Sequence, residues 1–183
     1  ISATAGAGSC RRPGAHDTTL GERPMTPIPW LLLLSVLLLG CNGPRPKPLP
    51  DLNGLLRQNA GSRREPALAQ RWLASLSLRN GREQVELIDL GARQPVPLPS
   101  LNRADAQPIS VSVSADGTRL AVVQQRDERT ELVLYRRSVG TVQRLPLEPP
   151  GVPRAVSLNG DGRRLAVQVS RGGRWEVDLI RLP

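Results

Sequence analysis

Apolar and polar positions alternate with a period of two through the second half of the chain. "PISVSVS" (108–114) alternates and is rich in β-branched residues, a strand pattern. "ADGT" (115–118) follows as a turn. Asp-Gly is a strong hairpin signal, because glycine takes positive φ at no steric cost and aspartate bonds its own backbone. "RLAVVQQ" (119–125) predicts a second strand, "RDERT" (126–130) a polar loop, "ELVLYRR" (131–137) a third strand and "VQRLPL" (142–147) a weaker fourth. "LAVV" and "LVLY" are apolar on both faces, so both sides of these middle strands are expected to be covered.

The same unit returns. Asp116-Gly117 recurs as Asp161-Gly162, and Arg119-Leu120-Ala121-Val122 as Arg164-Leu165-Ala166-Val167, 45 residues on without a gap. Pro108 matches Pro153, Glu131 matches Glu176, Leu134 matches Leu179 and Arg136 matches Arg181. A worn copy lies upstream. Glu86-Leu87 precedes Glu131-Leu132 by the same interval, and "EPALAQRWLASLSL" keeps the Pro66 and Leu73-Ala74 skeleton without the Asp-Gly turn. Self-similarity at this period signals solenoids, propellers or arrays. Four short antiparallel strands in about 45 residues match one propeller blade.

These residues resemble the TolB-type or WD40-like β-propeller repeat: a proline, a strand ending in Ser, Asp-Gly, a basic residue, Leu-Ala, then a strand opened by Glu. Two features depart from that pattern. Val113 and Leu158 replace an aromatic residue, and Ala115 and Gly160 replace a proline. The resemblance implies an all-β fold of antiparallel propeller-like repeats and a binding habit, not a reaction.

Only two and a half to three blades are expected, over 66–183. The first unit has a poor opening strand, and the third stops at "EVDLIRLP" without a closing strand. Propellers typically have four to eight blades. Three outcomes are open: a homodimer completing a six-bladed ring, an open partial propeller that docks on another protein, or a compact β-sandwich or barrel. Nothing in the sequence specifies a dimer interface. Asp178 stands where the second unit has Val133, which fits either a less covered face or a rim position.

The N-terminal part reads differently. The only methionine, Met25, precedes "TPIPWLLLLSVLLLGCNG". Trp30 to Gly40 is too short to span a bilayer comfortably and reads as a signal-peptide core. Leu38-Leu39-Gly40-Cys41 resembles the bacterial lipobox, which implies lipid attachment to the Cys41 thiol and cleavage before it. A second signal beside one acyl chain anchors stably. The usual basic residues are missing between Met25 and Trp30. Residues 1–24 show no periodicity and read as non-native upstream sequence or a disordered leader, so Cys10 and His16 are set aside. The expected divisions are 1–24, a signal peptide over 25–40, a lipidated and Pro-rich tether over 41–65, and the repeat domain. Four prolines from Pro44 to Pro50 predict an extended spacer; 52–64 has room for a short helical turn, but Asn and Gly break the pattern and it is expected to be mostly irregular.

Charge changes the picture little. The chain after Cys41 holds 22 of the 25 Lys and Arg and 14 of the 16 Asp and Glu, with Lys47 its only lysine. The arginines are scattered, as on solvated strand faces. With two Trp, one Tyr and no Phe in this part, a stacking platform for nucleic acid is not expected.

No histidine follows Met25, which excludes a Ser-His-Asp triad and histidine metal sites there. The patterns of a nucleophile elbow, a P-loop and C-x-x-C are absent. "NGDG" (159–162) is a fragment of a calcium loop but runs into arginines. No cofactor, metal or catalytic residue is expected. Asp116, Gly117, Asp161 and Gly162 read as structural turns, the three repeated glutamates (Glu86, Glu131 and Glu176) as blade geometry, either capping a turn or pairing with Arg119 and Arg164, and Trp72 and Trp175 as packing residues. The expectation is a non-catalytic, membrane-anchored module on the periplasmic face of a cell envelope, with a protein partner. The alternative is a binder of anionic envelope polymer or lipid through its arginines.

Overall fold

The computed structural model describes residues 45–58 and 61–183. Cys41 and the signal-like segment before it lie outside the described residues. A helix, α1 (Pro50–Gln58), precedes eleven strands. They are β1 (Arg63–Ala69), β2 (Trp72–Arg79), β3 (Arg82–Asp89), β4 (Gln94–Val96), β5 (Ala106–Val113), β6 (Arg119–Arg126), β7 (Arg129–Arg136), β8 (Thr141–Leu145), β9 (Val152–Leu158), β10 (Arg164–Arg171) and β11 (Arg174–Arg181).

They form three antiparallel sheets in chain order, β1-β2-β3-β4, β5-β6-β7-β8 and β9-β10-β11. The first strands of neighbouring sheets run side by side. The strands of the second unit stand where the alternation places them. The expected polar loop 126–130 shrinks to a two-residue hairpin, with Arg126 paired to Arg129 and Asp127 and Glu128 both at positive φ. The hairpins at Asn80-Gly81 and Gly172-Gly173 have the same form. This is the twist-matched two-residue turn.

Two expectations for the N-terminal side are corrected. Residues 50–58 are helical rather than irregular. Pro50 takes the first helical position, where a missing N–H costs nothing, Asp51 sits in the first turn, and Arg57 in the last. The first sheet also has its opening strand. β1 starts at Arg63, and a register irregularity between Arg64 and Ala67, with Glu65 at φ 52°, hides its alternation.

The sheets stack through two apolar layers. Trp72, Ala74, Leu76, Val85 and Leu87 of the first sheet meet Val111, Val113, Leu120, Val122, Val133 and Tyr135 of the second. The other face of the second sheet, Ala121, Val123, Leu132 and Leu134, meets Leu158, Leu165, Val167 and Val169 of the third. Each fully buried large aliphatic side chain contributes about 1.5–3 kcal/mol. Both faces of "LAVV" and "LVLY" are thus buried, one against each neighbour. Leu101, in the link between β4 and β5, closes the first layer. Asn102 beside it accepts from Val85 N at 2.8 Å and donates to Val85 O at 2.9 Å, continuing the sheet edge with a side chain.

Candidate interaction surfaces

The repeated turns are joints between sheets. Ser114 O accepts from Gly117 N at 2.9 Å, and Asp116 accepts from Ser114 Oγ (2.5 Å), Thr118 N (3.0 Å) and Thr118 Oγ1 (2.8 Å). Burial alone would raise the Asp116 carboxyl; these hydrogen bonds outweigh it and hold the group below its ordinary value. Asp161 accepts from Arg163 N at 2.8 Å in the corresponding turn. The two turns touch, since Ala115 N donates to Gly160 O at 2.9 Å. Gly117 and Gly162 share φ +68°. Gly117 lies against the indole of Trp72, whose ring is also faced by the guanidinium groups of Arg71 and Arg137 at 5.1 and 4.7 Å. Gly162 lies against Arg119, which donates through Nη1 to Gly162 O (3.0 Å) and Pro183 O (2.9 Å).

Polar side chains bridge the sheets near their first strands. Ser110 and Ser112 accept from Val156 N (3.3 Å) and Leu158 N (2.9 Å). Arg64 grips Glu83 with both arms (2.5 and 2.6 Å) and reaches Ile109 O at 3.3 Å. That bond to Arg64 holds the Glu83 carboxyl below its ordinary range. Along β1, β5 and β9 runs an open cleft of about 560 Å³, with Glu65, Gln70, Ser112, Ala115 and Ser157 in its wall.

The repeated glutamates do not pair with Arg119 and Arg164. Glu86 holds Arg63 and Arg79, Glu131 accepts from Gln124 Nε2 at 2.7 Å, and Glu176 pairs with Arg171 at 2.8 Å. The hairpin register explains the mismatch. Aligning Arg79/Arg82 with Arg126/Arg129 makes Val133, not Glu131, the counterpart of Glu86. The third sheet has Asp178 there, bonded to Arg171 as Glu86 is to Arg79. Asp178 is a rim position on the face that meets the second sheet. Among the described residues, no group of three or more His, Cys, Asp or Glu could hold a metal ion.

The two ends of the stack differ. On the outer face of the first sheet, Ser75, Ser77, Glu86 and Ile88 are all buried. Arg63, reaching from Glu86 to the Leu56 carbonyl (2.5 Å), ties α1 to that side. On the outer face of the third sheet, Trp175, Val177 and Leu179 are exposed. Trp175 is therefore not a packing residue within the described chain. β4 and β8 cover the edges of β3 and β7, whereas β11 ends its sheet.

No protein-family model and no curated protein matches the chain. Solved structures do. TolB from Acinetobacter baumannii is similar over 64% of this chain and 29% of its own length, at 19% identity and TM-score 0.50. A putative TolB from Agrobacterium tumefaciens is similar over 68% of this chain and 47% of its own, at 10% identity and TM-score 0.55. The fold is that of a partial β-propeller. Its sheets are blades, and the chain spans less than half the length of either structure. The sandwich and barrel alternatives do not apply, because the blades stack about their first strands.

Proposed function

We propose that the chain is an exported lipoprotein, held by lipid on Cys41 at the periplasmic face of a membrane, whose partial propeller is a non-catalytic module that recruits a protein. The carrying observation is the asymmetry of the stack among the described residues: one end is buried and tied to α1, while the other offers an apolar face and a strand, β11, that pairs on one side only. A free strand edge is a ready template for another chain. The prolines Pro44, Pro46 and Pro48 ahead of α1 would hold the blades away from the lipid. The lipobox resemblance at Leu38–Cys41 supports the anchor. The test is fatty-acid labelling of the chain and of Cys41→Ala in a bacterial host, followed by pull-down from solubilised membranes. Label on the wild type alone, with a stoichiometric protein partner, is the expected result; label on both chains would sink the anchor.

A second reading, binding to anionic envelope polymer or lipid, draws on Arg154, Arg164, Arg174 and Arg181, all exposed on blade three. Steep loss of vesicle binding with salt would favour it.

A further inference from the structure

The two ends of the blades balance their charge differently. At the end formed by the two-residue hairpins, Arg79 holds Glu86, Arg126 meets Asp105, and Arg171 meets Glu176 and Asp178. Asp127 and Glu128 are exposed there as well. At the opposite end, where the Asp-Gly turns lie, the carboxylates are spent on the turns. Asp116 accepts from Ser114 and Thr118, Asp161 from Arg163 N, and Asp89 from Gly91 N and Ala92 N at 2.9 and 3.0 Å as well as from Arg71. One residue further in, Leu73, Ile88, Leu120, Tyr135, Leu165 and Ile180 supply no charge. Among the described residues, Arg136, Arg137 and Arg163 therefore have no carboxylate within ion-pair distance, and Arg136 Nε is buried without a hydrogen-bond partner. The chain also enters at this end. Asp51, in the first turn of α1, lies 3.7 Å from Arg93 in the β3–β4 turn, whereas the Leu56 carbonyl takes Arg63 at the start of β1. α1 thus runs from the turn end toward the hairpin end, and the chain before it, which carries Arg45 and Lys47, joins the domain at the turns. Leu49 and Val139, both at the turn end, are 62% and 65% exposed.

We propose that the turn end of the blades is a lipid-facing surface, which lies on the anionic phospholipid headgroups of the membrane with Arg93, Arg137 and Arg163 supplying the charge and Val139 at headgroup level. Three observations select this occupant. Uncompensated arginines beside exposed aliphatic residues form the kind of surface that an anionic membrane interface attracts. The charge comes from the turns of all three sheets, which suits a charged plane better than a single strand of polymer. The chain enters here, so an anchor at Cys41, nine residues before Pro50, would deliver this end to the membrane first. The proposal rests on the second reading above and chooses lipid over polymer; the Pro-rich spacer then lies along the membrane instead of standing the blades off it.

The test anchors the full chain chemically. With Cys10→Ser, the Cys41 thiol is coupled to a maleimide-bearing phospholipid in vesicles, so anchoring does not depend on lipidation in a cell. Amide hydrogen exchange is compared on phosphatidylcholine vesicles and on vesicles that also contain phosphatidylglycerol. The expected result is about threefold slower exchange at 137–140 and 159–163 on the anionic vesicles, with the hairpins at 127–128 and 172–173 unchanged. Salt at about 0.5 M should remove the difference. Arg93→Glu with Arg163→Glu should remove it too. Arg129→Glu with Arg174→Glu, the same change of charge on exposed residues at the hairpin end, should leave it. Equal exchange on the two kinds of vesicle overturns the proposal, as does protection that survives the turn-end reversal. Protection of the turns by soluble polyphosphate but not by anionic vesicles would make a polymer the occupant and overturn it as well. Salt-sensitive vesicle binding without protection at the turns would keep the second reading and sink this placement alone. Lipidation at Cys41 stands or falls by its own labelling test.

Discussion

Trp72 lies against Gly117 so closely that a Cβ on the glycine would fall 2.5–2.6 Å from ring atoms Cδ2 and Nε1. The pair joins blade one to blade two. Gly162 and Arg119 make the same joint between blades two and three, but there the facing atom is Cδ of a flexible side chain at 3.1 Å. Both glycines need φ +68°. Gly117→Ala is therefore expected to cost about 2–4 kcal/mol, from left-handed strain plus overpacking, and Gly162→Ala about 1–2 kcal/mol. Urea unfolding of the two variants checks the order; equal losses would mean the indole yields as easily as the guanidinium.

The hairpin between β6 and β7 places Asp127 at φ 48° and Glu128 at φ 62°. Side chains other than Asn, Asp and Gly are costly in this region. Glu128→Gly is expected to raise stability by about 0.5–1 kcal/mol, a gain visible as a higher Tm. A loss would show that the exposed carboxylate contributes more than the backbone strain it carries.

Asn102 closes the edge of β3 with its side chain, and Val85, whose backbone it binds, is buried. Asn102→Ala leaves a buried N–H and C=O without that partner, at a cost of about 1–3 kcal/mol. Hydrogen exchange at the Val85 amide should accelerate by more than at Val122 in blade two.

Acid should weaken the fold through its ion pairs. The hydrogen bond from Arg103 holds the Asp105 carboxyl down to about 2, and those from Arg64, Arg71 and Arg171 hold Glu83, Asp89 and Asp178 below their ordinary values. A carboxyl depressed on folding stabilises above its unfolded value, and that stability is lost as pH falls through the folded one. Tm is therefore expected to hold steady from neutrality to the ordinary carboxylate range and to fall from there toward about pH 2, the value reached by Asp105. In Arg103→Gln the fall should lose its lowest-pH component.

The alternation in Pro108–Leu147, the double copy of the Asp-Gly turn and the doubly apolar "LAVV" and "LVLY" together determine blades two and three in place and in order. Periodicity and turn chemistry are local, and a strand covered on both faces has no polar alternation to show. Tertiary structure alone decided the rest. β1 was obscured by its irregularity at Arg64–Ala67, and the worn first repeat slipped by two residues, because a shift of two keeps every side chain on the same face and leaves the pattern unchanged. Glu86, Glu131 and Glu176 look alike along the chain but meet different partners, since those partners come from neighbouring strands and from hairpins folded back in space. The open face of blade three was equally hidden. Leu134 and Leu179 are the same residue at the same position of successive repeats, one wholly buried and the other 84% exposed, and only the stacking of blades distinguishes them.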